Sequence, residues 1–127
     1  MFEIDADKTI HLTRGDIATI EVSTKDKTTG EAHVFKAGDV VRLRVNEKKD
    51  YGLIMLMKDV AVTGDTTVVA ISLNKEDTKI GELISKPRDF YYEIEVNPDT
   101  APQTIIGHDR EGAKVLRLYP EGSDEFE

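Results

Sequence analysis

Residues 90–96 have the sequence Phe-Tyr-Tyr-Glu-Ile-Glu-Val, and their alternation is the first guide to the fold of this chain. Every even-numbered position is aromatic or aliphatic, whereas the odd positions are Tyr91, Glu93 and Glu95. Successive side chains of a β-strand point to opposite faces. The segment is therefore predicted to be a strand that buries its even positions and exposes its carboxylates.

Residues 41–45, Val-Arg-Leu-Arg-Val, repeat this alternation with arginine at the polar positions. They are predicted to form a half-buried strand in which Arg42 and Arg44 face water. If this strand lies beside residues 90–96, the arginines and the glutamates would face each other across the sheet.

Further short strands are predicted on both sides of these two. They cover residues 9–13, 17–23, 32–35, 53–57, 67–73, 103–108 and 114–119. The last two are expected to form a hairpin around residues 109–112. Short strands at this spacing, separated by turn residues, are typical of a β-sandwich or barrel.

One short helix is predicted after residues 67–73. Asn74 has the position of a helix N-cap, and Asp77 follows three residues later, where it can accept a hydrogen bond from a free backbone N–H. Apolar residues then recur at helical spacing, but Gly81 and Pro87 limit the helix to one or two turns.

The chain has 127 residues, no cysteine and a formal net charge of -8. We expect one β-sandwich domain at residues 1–120 and an acidic C-terminal tail at residues 121–127. Basic residues are scattered, so nucleic-acid binding is not expected. The first residues do not resemble a signal peptide and no apolar run could span a membrane, so synthesis in the bacterial cytoplasm without a secretion signal is expected.

None of the residues that could carry chemistry has the spacing of a catalytic or metal site. The histidines lack paired ligand spacing, and no serine lies in a Gly-x-Ser-x-Gly turn. Glu93 and Glu95 share a predicted face as glycosidase carboxylates do, but such pairs are more often a solvated sheet face. Residues 14–16, Arg-Gly-Asp, match an adhesion tripeptide but also an ordinary turn. No catalytic residue, metal ligand or cofactor is predicted.

Several segments are apolar on both sides of a predicted strand. One interpretation is a central strand, or one covered by the short helix; the other is an interface that a second molecule covers. The candidate interface residues are Leu53, Ile54, Met55, Leu56, Met57, Val68 and Ile105.

Residues 10–16, residues 71–78, the aromatic strand 90–96 and the closing hairpin occur in an order that resembles the N-terminal domain of phage baseplate upper proteins and similar prophage tail proteins. The resemblance implies an immunoglobulin-like antiparallel β-sandwich that anchors to other tail components in the virion, and it allows a homo-oligomer. This chain stops after one domain, without a helical stalk or distal module, so the anchoring role is the one implied. The family offers no catalytic residue to transfer.

A second hypothesis is a carbohydrate-binding β-sandwich module, in which Tyr91 would contact the sugar. Such modules usually present aromatic platforms, and this chain has no Trp. A small hydrolase using the outward carboxylates ranks last.

Overall fold

The structure is a computed structural model that describes residues 1–25, 28–48, 53–107 and 112–121. Within these ranges the chain is all-β, with nine strands in two sheets and no helix. The strands are β1 (Phe2–Ile4), β2 (Ile10–Thr13), β3 (Ala18–Val22), β4 (Val40–Asn46), β5 (Ile54–Ala61), β6 (Val69–Leu73), β7 (Arg88–Val96), β8 (Gln103–Ile106) and β9 (Lys114–Tyr119).

The larger sheet has seven strands in the order β1-β2-β9-β7-β4-β5, with β8 also paired to β7. All of its pairs are antiparallel except β2 with β9, which is parallel and aligns Ile10 with Leu116. The prediction of a purely antiparallel fold is therefore wrong at this pair. The sequence analysis also missed β1, whose three residues are too few to show a pattern.

The central strands β7 and β4 confirm the prediction from alternation. They lie side by side, with Leu43 opposite Ile94 and Arg44 opposite Glu93. The even positions of β7 from Phe90 onward and the odd positions of β4 are buried, because those side chains point to the inner side of the sheet. The buried Tyr92 hydroxyl donates to the carbonyl oxygen of Lys8 at 2.5 Å, and burial raises the pKa of this tyrosine.

The smaller sheet pairs β3 with β6, antiparallel, with Ile20 opposite Ile71. Alternate residues of both strands are buried, and they belong to the same hydrophobic core as the inner side of the larger sheet. Two sheets that share one core form a sandwich-like arrangement. Phe35, fully buried, also belongs to this core. The strand predicted at residues 32–35 is wrong, because only isolated bridges form there.

The predicted hairpin of residues 103–108 and 114–119 is also wrong. β8 and β9 are both antiparallel to β7, so they run in the same direction and occupy successive parts of one side of β7. Together they take the place of one antiparallel strand beside β7, interrupted between β8 and β9. The predicted hairpin tip at residues 109–112 lies outside the described residues except for Gly112.

The predicted short helix is a single capped turn. The backbone N–H of Asn74 donates to Asp77 Oδ2 at 3.0 Å, and that of Asp77 donates to Asn74 Oδ1 at 2.8 Å. The cap was predicted correctly, but the helical bonds do not continue. The hydroxyl of buried Thr78 instead donates to the carbonyl oxygen of Asp16 at 2.7 Å, and Gly81 has a φ of 67°, outside the helical range.

Candidate interaction face

The outward side of the seven-stranded sheet, here called the outer face, carries several of the residues that the sequence analysis singled out, among them Tyr91, Ile54 and Met57. Cross-strand register places Val115, Tyr91, Asn46 and Ile54 in one row across β9, β7, β4 and β5. Tyr91 and Ile54, which were proposed for different roles, therefore lie on the same face. Tyr91 is half-buried at the centre of this row.

Next to this row lies an ionic cluster formed by the two arginines of β4. Arg44 Nη2 is 2.9 Å from Glu93 Oε2 and 3.3 Å from Glu95 Oε1. The predicted pairing of arginine and glutamate across the sheet is confirmed for Arg44. Because these charges neutralise one another at short range, Arg44 is held in place and is not available as a free cation.

Arg42 binds two aspartates instead of the glutamate opposite it. Its Nε and Nη2 atoms donate to the two carboxylate oxygens of Asp59 at 2.7 and 2.9 Å, and Nη2 also donates to Asp99 Oδ2 at 3.2 Å. The bidentate bonds lower the pKa of Asp59 and raise the pKa of Arg42. The Asp59 carboxylate therefore stays ionised further into the acidic range than an isolated aspartate does.

Three residues of the apolar run 53–57 are exposed, Leu53, Ile54 and Met57, and we call them the β5 patch. Their exposed fractions are 69%, 54% and 51%. The interpretation of this run as a central, two-sided strand is wrong, because β5 is the last of the described strands in its sheet and Ile54 and Met57 are exposed on its outer side. Met55 and Leu56 are partly buried and pack against the core.

The remaining candidate interface residues lie elsewhere. Val68 is exposed and lines a groove of about 370 Å³ together with Val60 and Thr66. Ile105 on β8 is half-buried against the core and lines a separate cavity of about 540 Å³. The structure therefore places Ile54 and Met57 on the outer face of β5, with exposed Leu53 directly before the strand, and it does not bring Val68 or Ile105 to them.

A polar network at the other end of the outer face was missed by the sequence analysis. His11 Nε2 lies 2.7 Å from Asp5 Oδ2, and its Nδ1 lies 2.8 Å from the hydroxyl of Tyr119. These residues come from opposite ends of the chain, so no local pattern could have joined them. Within the described ranges no cluster of histidine, aspartate and glutamate could hold a metal ion. His108 lies outside those ranges.

The Arg-Gly-Asp turn is engaged within the molecule. Arg14 Nη1 donates to Glu121 Oε1 at 2.7 Å, and its Nη2 donates to the carbonyl oxygen of Gly81 at 3.2 Å. Asp16 forms an ion pair with the N-terminal ammonium of Met1. Because the guanidinium is largely buried and both charges already have partners, this geometry does not favour adhesion. The rest of the predicted acidic tail, residues 122–127, lies outside the described residues.

The described part of the chain contains no helix that is long and apolar enough to cross a membrane. Comparison of the chain with protein-family models, curated proteins and solved structures finds no match.

Proposed function

We propose that this chain is a non-catalytic assembly module of a phage or prophage tail baseplate, and that it anchors to other tail components. The observation that carries the proposal is the β5 patch on an all-β domain. Three large apolar residues within one five-residue segment, at the edge strand of the sheet, are each more than half exposed. Exposed apolar groups gathered in one place are typical of a surface that another protein covers.

An immunoglobulin-like outline is part of this proposal. In variable-type immunoglobulin domains, one sheet contains strands G, F, C and C′ and the other contains B and E. The order β9-β7-β4-β5 and the pair β3-β6 would correspond to these strands. The chain departs from that pattern because it has no cysteine and because its return strand beside β7 is interrupted.

The phage assignment itself is supported by the sequence resemblance, and it predicts a location that can be observed. Gold-labelled antibody against the chain should mark the distal end of tails on phage particles induced from the strain that encodes it. If the particles carry no gold at the tail end, the assignment is wrong.

The β5 patch provides the matched variant for this experiment. Met57→Lys places a charge at an exposed position, so we expect the variant to fold and to be lost from the particles, because a lysine cannot be buried there without cost. Thr19→Lys, on the exposed side of the smaller sheet, is the control and should be retained. Equal incorporation of both variants would show that the patch is not the anchor.

Carbohydrate binding is the second candidate, and one observation favours it. Tyr91 stands on the open outer face directly opposite the amide-bearing Asn46, and an aromatic ring beside a hydrogen-bonding group is what a sugar ring requires. A glycan array should then give a signal that Tyr91→Ala removes. An array without signal would dismiss this candidate.

A further inference from the structure

The outward side chains of β5 form a regular line. Ile54, Met57 and Asp59 lie opposite Asn46, Arg44 and Arg42, which are alternate residues of β4. Ile54 is three residues from Met57, yet both point outward, because the register shifts at this end of the strand pair. Alternate residues on a strand are about 7 Å apart. The line therefore presents two apolar positions and then an acidic one, in equal steps.

The acidic end of this line carries excess negative charge. Two guanidiniums, from Arg42 and Arg44, are shared among four carboxylates. The side chains of Asp59 and Asp99 are 43% and 78% exposed, so part of this charge faces solvent. Lys58, the basic residue between Met57 and Asp59, points to the inner side and pairs with Asp77 at 3.0 Å.

These charges discriminate between possible partners. A second copy of the chain would bring the same acidic cluster and the same net charge of -8, so self-association is opposed. A cationic partner would instead meet exposed carboxylates at one end of the line and apolar side chains at the other. An extended segment repeats its same-face side chains with the period of β5 itself.

We infer that β5 binds an extended segment of another protein in which two apolar residues and one basic residue alternate with polar ones, in the pattern apolar-x-apolar-x-basic. The inference rests on the proposed assembly function and specifies the chemistry of the partner. The apolar residues lie along Ile54 and Met57, and the basic residue lies at Asp59 and Asp99.

The test uses a blocked peptide with the core Ile-Thr-Val-Thr-Arg and a matched peptide in which Gln replaces Arg. Each is titrated into the ¹⁵N-labelled full chain while backbone amide shifts are recorded. We expect shifts in β5 and the adjacent β4, with none in β3 or β6. The arginine peptide should bind about two- to fivefold more tightly than the glutamine peptide, as one partly exposed ion pair provides. Raising the salt should remove that difference.

Two variants of the protein complete a thermodynamic cycle. Asp59→Asn should weaken binding of the arginine peptide about two- to fivefold and leave the glutamine peptide unaffected. Met57→Lys should weaken both peptides, whereas Thr19→Lys should weaken neither. Circular dichroism spectra that match the wild type show that each variant is folded.

Equal affinity of the two peptides, shifts confined to other surfaces, or no shifts at about millimolar peptide would each overturn the inference. This inference can be wrong while the proposed assembly function is right. If the Met57→Lys variant is lost from phage tails but the arginine and glutamine peptides bind with equal affinity, the assembly function is retained and a basic partner is excluded. If the chain self-associates and the Met57→Lys substitution abolishes that self-association, a basic partner segment is also excluded.

Discussion

Strands β7 and β5 are both rich in apolar residues, yet they have opposite places in the molecule. β7 alternates strictly, pairs with three other strands and buries Phe90 and Ile94 completely. β5 begins with consecutive apolar residues, pairs only with β4 among the described strands and leaves Ile54 and Met57 half-exposed. Alternation identifies a strand whose two faces have different surroundings. A continuous apolar run does not reveal what covers it.

The largest expected difference between the two strands is in stability. Phe90→Ala should lower the free energy of unfolding by about 3 to 5 kcal/mol, because it removes a fully buried ring from the core. Ile54→Ala should cost about 0.5 kcal/mol or less, since that side chain is already half in water. Guanidinium denaturation of both variants measures the two costs. Equal costs would mean that Ile54 is buried as fully as Phe90 and that the two strands do not differ in burial.

A smaller effect is expected at the turn that supports the inner side of β5. Asn74→Ala removes one of the two reciprocal hydrogen bonds of the capped turn and should cost about 1 kcal/mol. The turn also holds Asp77, which pairs with Lys58 of β5. Urea denaturation measures the cost, with Ser72→Ala on the exposed side of β6 as the control. A neutral Asn74→Ala variant would contradict the assigned role of the cap.

The smallest effect concerns acid, and it should act on β5 and its surroundings. Hydrogen bonds from Arg42 lower the pKa of Asp59 below 3.8. For Asp77, partial burial raises the pKa, but bonds from Asn74 and Lys58 outweigh it and the net change is also downward. A carboxyl whose pKa is lower in the folded state stabilises the protein above its unfolded pKa, and this contribution is lost as the pH falls through the folded value.

Denaturation midpoints should therefore be level above about pH 5 and decline below pH 4. In Asp59→Asn the decline should be shallower, because that carboxyl no longer takes up a proton on unfolding. Ser72→Ala, on the exposed side of β6, is the control, because it removes no titratable group. An unchanged slope in Asp59→Asn would show that this ion pair does not contribute to acid sensitivity.

Much of the all-β fold could be predicted because its signals are local. The alternation in β3, β4, β6, β7 and β9 and the turn residues between strands lie within a few positions of one another. The pairing of Arg44 with Glu93 followed from the same alternation and needed only the assumption that the two strands are neighbours.

The errors arose where distant residues decide the outcome. β8 and β9 have the sequence of a hairpin, but both pair with β7, and this competition cannot be read from either strand alone. The turn after Asn74 has a helix cap, but it ends after one turn, where the Thr78 hydroxyl bonds to the distant Asp16 and Gly81 has a positive φ. The exposure of Met57 depends on β5 being last in the sheet, which is a property of the whole topology.

The parallel pairing of β2 with β9 has a consequence for the order in which the molecule can form during synthesis. Ile10 and its partner Leu116 are roughly a hundred residues apart in the chain, a separation typical of slow, late contacts. Ile10 and Leu12 therefore leave the ribosome long before the strand beside them exists. Until β9 emerges, β2 lacks its parallel partner, and its apolar side chains are accessible to chaperones and proteases.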